Sequence, residues 1–127
     1  MKLTVLLVAR ILFMVPFLMI GMHHFMMADK MVGMLPSWLP GGIVWIYLTG
    51  IFEVAAAVAI ITAIQIRLAS ILLCILLLTY VAFMHIPSMM SADPTTSMLG
   101  LIGVMKDTGL AGGALLLTHI YTKKKSA

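Results

Sequence analysis

Four apolar runs follow one another along the chain, each about as long as a hydrocarbon layer is thick. They cover roughly 3–24, 43–64, 68–86 and 99–121. None alternates as a strand does, and apolar positions fill most faces of each run, as expected for helices that meet lipid. The pattern predicts an all-α fold: an integral membrane four-helix bundle forming a single domain over residues 1–127. Pro16 falls inside the first run and predicts a kink that a membrane helix tolerates. Gln65, Ile66 and Arg67 predict a tight turn that sets the second and third runs antiparallel. Pro87 is expected to end the third run, and Asp93-Pro94 reads as turn chemistry before the fourth. The longest connection, 25–43, carries Pro36, Pro40, Gly41 and Gly42, which break any continuous helix. Its Met26, Met27, Met31, Met34, Leu35 and Trp38 are too apolar for a solvated loop. An interfacial or re-entrant segment is expected here, with Trp38 and Trp45 at headgroup level. No convincing internal repeat is visible.

Composition narrows the class further. Hydrophobic residues make up 63% of the chain, charged residues 9%, and the mean hydropathy is +1.18. A soluble domain this small could not hide so much apolar surface, which excludes a soluble enzyme, a disordered tail and a nucleic-acid-binding module. The net charge of +4 is explained by position. Lys2, Arg67 and Lys123, Lys124 and Lys125 fall where a four-span chain has one common side, while Asp29, Lys30 and Asp93 nearly cancel on the other. Positive residues mark the inner side, so both termini are expected in the cytoplasm, with the lysine tail near anionic lipid. Arg10 interrupts what would otherwise be a signal-peptide core, so the first run reads as a retained span. Cys74 is alone in an apolar run and reads as a small buried hydrophobe without dithiol chemistry.

Charged groups inside hydrocarbon are costly and mark candidate sites. Here they are Arg10, Glu53, Lys106 and Asp107, with His23, His24, His85 and His119 near run ends. At 1.5 Å per residue, Glu53 lies about 15 Å and the Lys106-Asp107 pair about 10 Å below the outer edge, where His24 and His85 also end their runs. Each of four helices thus brings a polar group to the outer half. At 100° per residue, Arg10, Met14, Phe17, Gly21 and His24 share a face. Glu53 shares one with Thr49, Gly50, Ala56 and Ala57, and Lys106 lines up with Gly109 and Gly113. Small residues allow close helix approach, so both charges are expected on packing faces. Ser70, Cys74, Leu77, Val81 and His85 form a stripe on the third run. His23 and His24 diverge by about 100°, which leaves His24 as the inward one. Ligand spacing for a metal is absent, and no metal is expected. The 13 methionines read as adaptable filler, with a copper path through Met22, Met26, Met27, Met89 and Met90 as the minor alternative. A plain alternative for every charge is a structural ion pair that fixes helix register.

Several stretches in order resemble the DoxX family of small four-helix membrane proteins. They are Ala9-Arg10-Ile11-Leu12-Phe13, Phe17 to Phe25, Pro36-Ser37-Trp38-Leu39-Pro40-Gly41-Gly42, Tyr47 to Glu53, Arg67-Leu68-Ala69-Ser70, His85-Ile86-Pro87 and Lys106 to Gly113. The resemblance spans nearly the whole chain and implies a four-helix bundle in a bacterial inner membrane. It also implies a link to membrane oxidoreductase systems, among them thiosulfate:quinone oxidoreductase. The expected function is then a membrane subunit of a redox system, not a self-contained enzyme, that binds a quinone or isoprenoid-type lipid and carries no covalent cofactor. Glu53, His85, Lys106, Asp107, His24 and Arg10 are the ligand-binding or proton-relay candidates, with Trp38, Pro36 and Met34 covering the pocket. Expected partners are the bilayer, a membrane or soluble redox protein and a second copy through Gly109 and Gly113, but no nucleic acid. The competing readings are a non-enzymatic scaffold whose buried charges are structural, and an oligomeric small-solute transporter.

Overall fold

The computed structural model describes residues 2–126, with side chains from 4 to 123; Lys2, Lys124 and Lys125, which bear on orientation, lie outside the described side chains. The described residues form helices and no strand. These are α1 (Lys2–Met26), α2 (Ala28–Met31), α3 (Ile43–Thr62), α4 (Ile66–Tyr80), α5 (Ile86–Met89) and α6 (Pro94–Ser126). A 3₁₀ turn occupies Val32–Met34 and a π-helical turn occupies Val81–His85. Because α4, the π turn and α5 are continuous, four rods result: Thr4–Met26, Ile43–Thr62, Ile66–Met89 and Pro94–Lys123 are each long and apolar enough to cross a membrane. Only 22% to 33% of their apolar windows is buried, so most of these side chains face outward. Lipid is the medium in which such a surface is stable, and the protein has the build of a multi-pass membrane protein. The chain divides into two compact units, Met1–Ala69 and Ser70–Ala127, with the boundary inside α4.

In the first unit α1 and α3 form an antiparallel pair. Arg10, Met14, Phe17, Gly21 and His24 are the buried stripe of α1, and Ile46, Gly50, Glu53, Ala57 and Ile60 that of α3. Both stripes advance by alternating steps of four and three residues, the spacing that keeps one seam facing a neighbouring helix. The expected faces for Arg10 and Glu53 are therefore the ones buried. Glycines bring the two backbones close. A Cβ on Gly21 would stand 2.9 Å from Val54 Cγ2 and 3.3 Å from Gly50 O; one on Gly50 would stand 2.9 Å from His24 Cβ and 3.2 Å from Gly21 O. α1 continues through Pro16. Within the connection, Trp45 Nε1–H donates to Pro40 O at 2.5 Å across Gly41 and Gly42, whose positive φ angles (100° and 51°) only glycine adopts readily. The turn after α3 lies at Ala63–Gln65, slightly earlier than expected. Ala63 and Gln65 adopt left-handed φ of 61° and 50°, which ends one helix so that Ile66 starts the next.

In the second unit the rod ending in α5 packs antiparallel on α6. Here Pro87 does not end the helix as expected. Proline lacks an N–H and its ring collides with the carbonyl four residues back, so an ordinary α-helix would break. The wider π turn immediately before it absorbs the mismatch, and the rod runs on to Met89. Ser88 Oγ–H donates to Met84 O at 2.8 Å within this stretch. α6 begins at Pro94, five residues before the expected boundary. Asp93 caps it: Thr96 N–H and Oγ–H donate to Asp93 Oδ2 at 2.8 and 2.7 Å. Pro94 takes the first helical position, where no N–H is required. Ser97 Oγ–H donates back to Met89 O at 2.7 Å. Gly100 lies so near that a Cβ would fall on the Met89 backbone.

Two outcomes check this packing. Gly100→Ala has only backbone to push against and should destabilise by about 1–3 kcal/mol. Gly109→Ala meets open space and should be neutral or stabilising by up to about 1 kcal/mol. Unfolding in mixed micelles reads both, and the reverse order would refute the close approach of α6 to Met89 at Gly100. The Thr96 bonds, the side-chain bond first, hold the exposed Asp93 carboxyl below the usual carboxylate range. Its folded value being depressed, the cap is fully present above the ordinary carboxylate pKa and is lost as pH falls through the folded one. The Thr96 amide resonance should follow that titration, and Asp93→Ala should abolish it.

Candidate functional site

Each unit places a histidine from its first helix on a carboxylate from its second. In the first, Glu53 lies one turn after Gly50, and the bare Gly50 backbone admits His24. His24 Nδ1 is 2.8 Å from Ile20 O and 3.3 Å from Glu53 Oε2. Both neighbours are oxygens, and the carbonyl can only accept, so Nδ1 carries the hydrogen and donates to Ile20 O while facing the carboxylate. Both side chains are buried, at 8% and 2% exposure. Arg10 is buried on the same stripe, but 14 residues earlier and so about 20 Å along the helix from His24.

In the second unit the π turn carries His85 toward α6. Its Nε2–H donates to Asp107 Oδ2 at 2.7 Å, a charge-assisted length. Gly103, one turn before Asp107, makes this possible, because a Cβ there would overlap the imidazole ring. The other carboxylate oxygen, Oδ1, lies 3.2 Å from Lys106 Nζ. Asp107, in the middle of this chain of contacts, is 3% exposed, with His85 on one side at 25% and Lys106 on the other at 43%. Asp107 is thus a sealed anchor, and Lys106 is the polar group that reaches the surface.

Lys106 corrects one expectation. It does not lie on a packing face with Gly109 and Gly113; Gly109 is exposed with nothing within 4 Å of a Cβ. The buried face of α6 is Gly100, Gly103, Asp107, Ala111 and Ala114, turned by about 100° from the expected one. The stripe expected to carry Val81 and His85 in register with Cys74 also changes: Ser70, Leu73, Cys74 and Leu77 are buried, whereas Val81 and His85 are half-buried beyond the π turn. Met34 and Trp38 are about two-thirds exposed and Pro36 is half-buried. His23 is exposed beside the buried His24, and His119 is exposed. Sequence reasoning missed Gly103. Its signal was present in Gly100-x-x-Gly103-x-x-x-Asp107, a helical stripe of small residues leading to a charge.

Four membrane-length helices in two hairpins, each with a histidine on a buried carboxylate, define a small helical multi-pass membrane protein. The chain belongs to the family described as a domain of unknown function, DUF8561, whose profile matches residues 13–103. The match includes His24, Glu53, His85 and Gly103 and ends before Lys106 and Asp107. Neither the curated proteins nor the solved structures contain a match to this chain.

If each histidine is energetically joined to its carboxylate, double-mutant cycles should give coupling of about 0.5–2 kcal/mol for His24→Ala with Glu53→Ala and for His85→Ala with Asp107→Ala. Additive single effects in unfolding measurements would show that the contacts are incidental.

Proposed function

We propose that this protein is a bacterial inner-membrane protein with both termini in the cytoplasm, serving as the membrane subunit of a redox system. In this reading it binds a quinone or isoprenoid-type lipid at Lys106. One observation carries the reading. Lys106 lies 12 residues into α6, about 18 Å along a membrane-length rod, with its side chain 43% exposed. The helix is longer than a hydrocarbon layer is thick, so this places Lys106 in the outer half, about 10 Å below the edge, where its stem carries the ammonium toward the headgroups while lipid tails offer it nothing. A carbonyl oxygen on an otherwise apolar ligand satisfies it. Asp107 holds the ammonium in place and His85 holds Asp107, so the donor is aimed before a ligand arrives.

A structural role is favoured for the other pair. His24 and Glu53 are sealed between α1 and α3, where a ligand has no access and a polar contact fixes helix register. The test is mass spectrometry of small molecules retained by protein purified gently from its own membranes. Wild type should carry close to one quinone or isoprenoid per chain. Lys106→Met should lose it several-fold, whereas Glu53→Gln should keep it and unfold more easily. Bulk phospholipid alone in the wild type, or full retention by Lys106→Met, would overturn the proposal and leave a scaffold role.

A further inference from the structure

Methionine is distributed unevenly. Seven of the 13 lie between Met14 and Met34 and five between Met84 and Met105; the other is Met1. None occurs in α3, in α4 or in α6 after Met105, although α3 and α4 are about as apolar as α1. A residue serving only as flexible filler would spread through all the helices, as leucine and isoleucine do. The two rich segments are the end of a hairpin's first rod with the connection that follows; in the second unit the start of α6 is included. Methionine differs from leucine chemically in one respect that suits such confinement: its thioether is a soft ligand.

The densest arrangement lies at the end of α1. Met19, Met22, His23 and Met26 form a closed rhombus on the helix surface: 19 to 22 and 23 to 26 are three residues apart, and 19 to 23 and 22 to 26 are four apart. Residues at those separations are neighbours, with Cβ atoms about 5–6 Å apart. All four fall within a sector of about 100°. Met19, Met22 and Met26 are 68%, 52% and 77% exposed, and His23 is exposed with them. The next residue, His24, turns inward to Glu53, so His23 is left to the outer face. The membrane-length segment ends at Met26, so a cation meets Met26 and His23 at the membrane edge and Met19 about 10 Å further in.

We propose that Met19, Met22, His23 and Met26 bind a monovalent soft cation, Cu(I). Thioether sulfur with one neutral imidazole selects Cu(I) over the harder divalent ions, and a d¹⁰ ion accepts the three or four ligands that this rhombus offers. Unbranched methionine side chains can turn their sulfurs toward the centre without moving the helix. Among the described residues no group of three or more His, Cys, Asp or Glu is placed to hold a metal, so no site of those ligands competes for the ion.

The experiment is an anaerobic titration of the full chain in detergent micelles with Cu(I), supplied as its acetonitrile complex, against a chromogenic Cu(I) chelator. Wild type should withdraw about one Cu(I) per chain, and X-ray absorption should report sulfur scatterers. Met22→Leu with Met26→Leu preserves volume and helicity and should weaken binding at least tenfold, with unchanged circular dichroism. Met90→Leu with Met98→Leu, in the other rich segment, should leave it unchanged. No withdrawal by wild type, equal withdrawal by the Met22/Met26 variant, or loss confined to the Met90/Met98 variant would each overturn the assignment.

Discussion

A carboxylate on a helix surrounded by hydrocarbon has no water to turn to, and its own helix has already used its backbone donors. The donor must come from a second helix at hydrogen-bonding distance, which requires the two backbones to approach more closely than most side chains allow. Glycine is the residue that permits it. Gly50 lies one turn before Glu53 and leaves room for His24; Gly103 lies one turn before Asp107 and leaves room for His85. Each hairpin repeats this arrangement with different residues and different spacing. Packing in lipid draws little help from the hydrophobic effect, so close van der Waals contact and these few polar bonds define which faces meet.

The two contacts differ in ways that bear on chemistry. Glu53 and His24 are enclosed on an α-helical seam, and the histidine hydrogen goes to Ile20 O while the ring faces the carboxylate at 3.3 Å. Such a pair is held rigidly and isolated. His85 instead rides on a π turn next to Pro87, and its carboxylate partner connects to a lysine at the surface. A π turn realigns the residues that follow it relative to those before it, which is how His85 reaches α6 although Val81 and Cys74 do not share its environment. A polar chain that starts in a sealed anchor and ends at a half-exposed ammonium is suited to recognising something outside the chain.

The connections contribute in their own right. Asp93 and Pro94 start α6 with a cap and a favourable first residue, and Ser97 ties that start to Met89. The close approach at Gly100 and Gly103 follows a few residues later, so the ladder from cap to dyad runs within four turns of one helix. In the first hairpin, the Trp45 bond to Pro40 and the positive φ angles of Gly41 and Gly42 set where α3 starts, and thereby the register that puts Gly50 opposite Gly21.

Much of this was legible in the chain. Apolar runs of membrane length, broken by proline and glycine, determined four helices and the positions of their connections, because lipid imposes a length and forbids unsatisfied backbone. Helical periodicity also determined the buried stripes of α1 and α3, since a charge among small residues has only one favourable side to face. Tertiary structure alone decided the rest. Passage of the third rod through Pro87 depends on a π turn that no local pattern requires. The turn of α6 that buries Asp107 and exposes Lys106 could not be read from adjacent residues, because either charge lines up with glycines. What decided it was the closeness of the facing helix: Gly100 and Gly103 are the glycines a neighbour presses on, and only the fold determines which glycines those are.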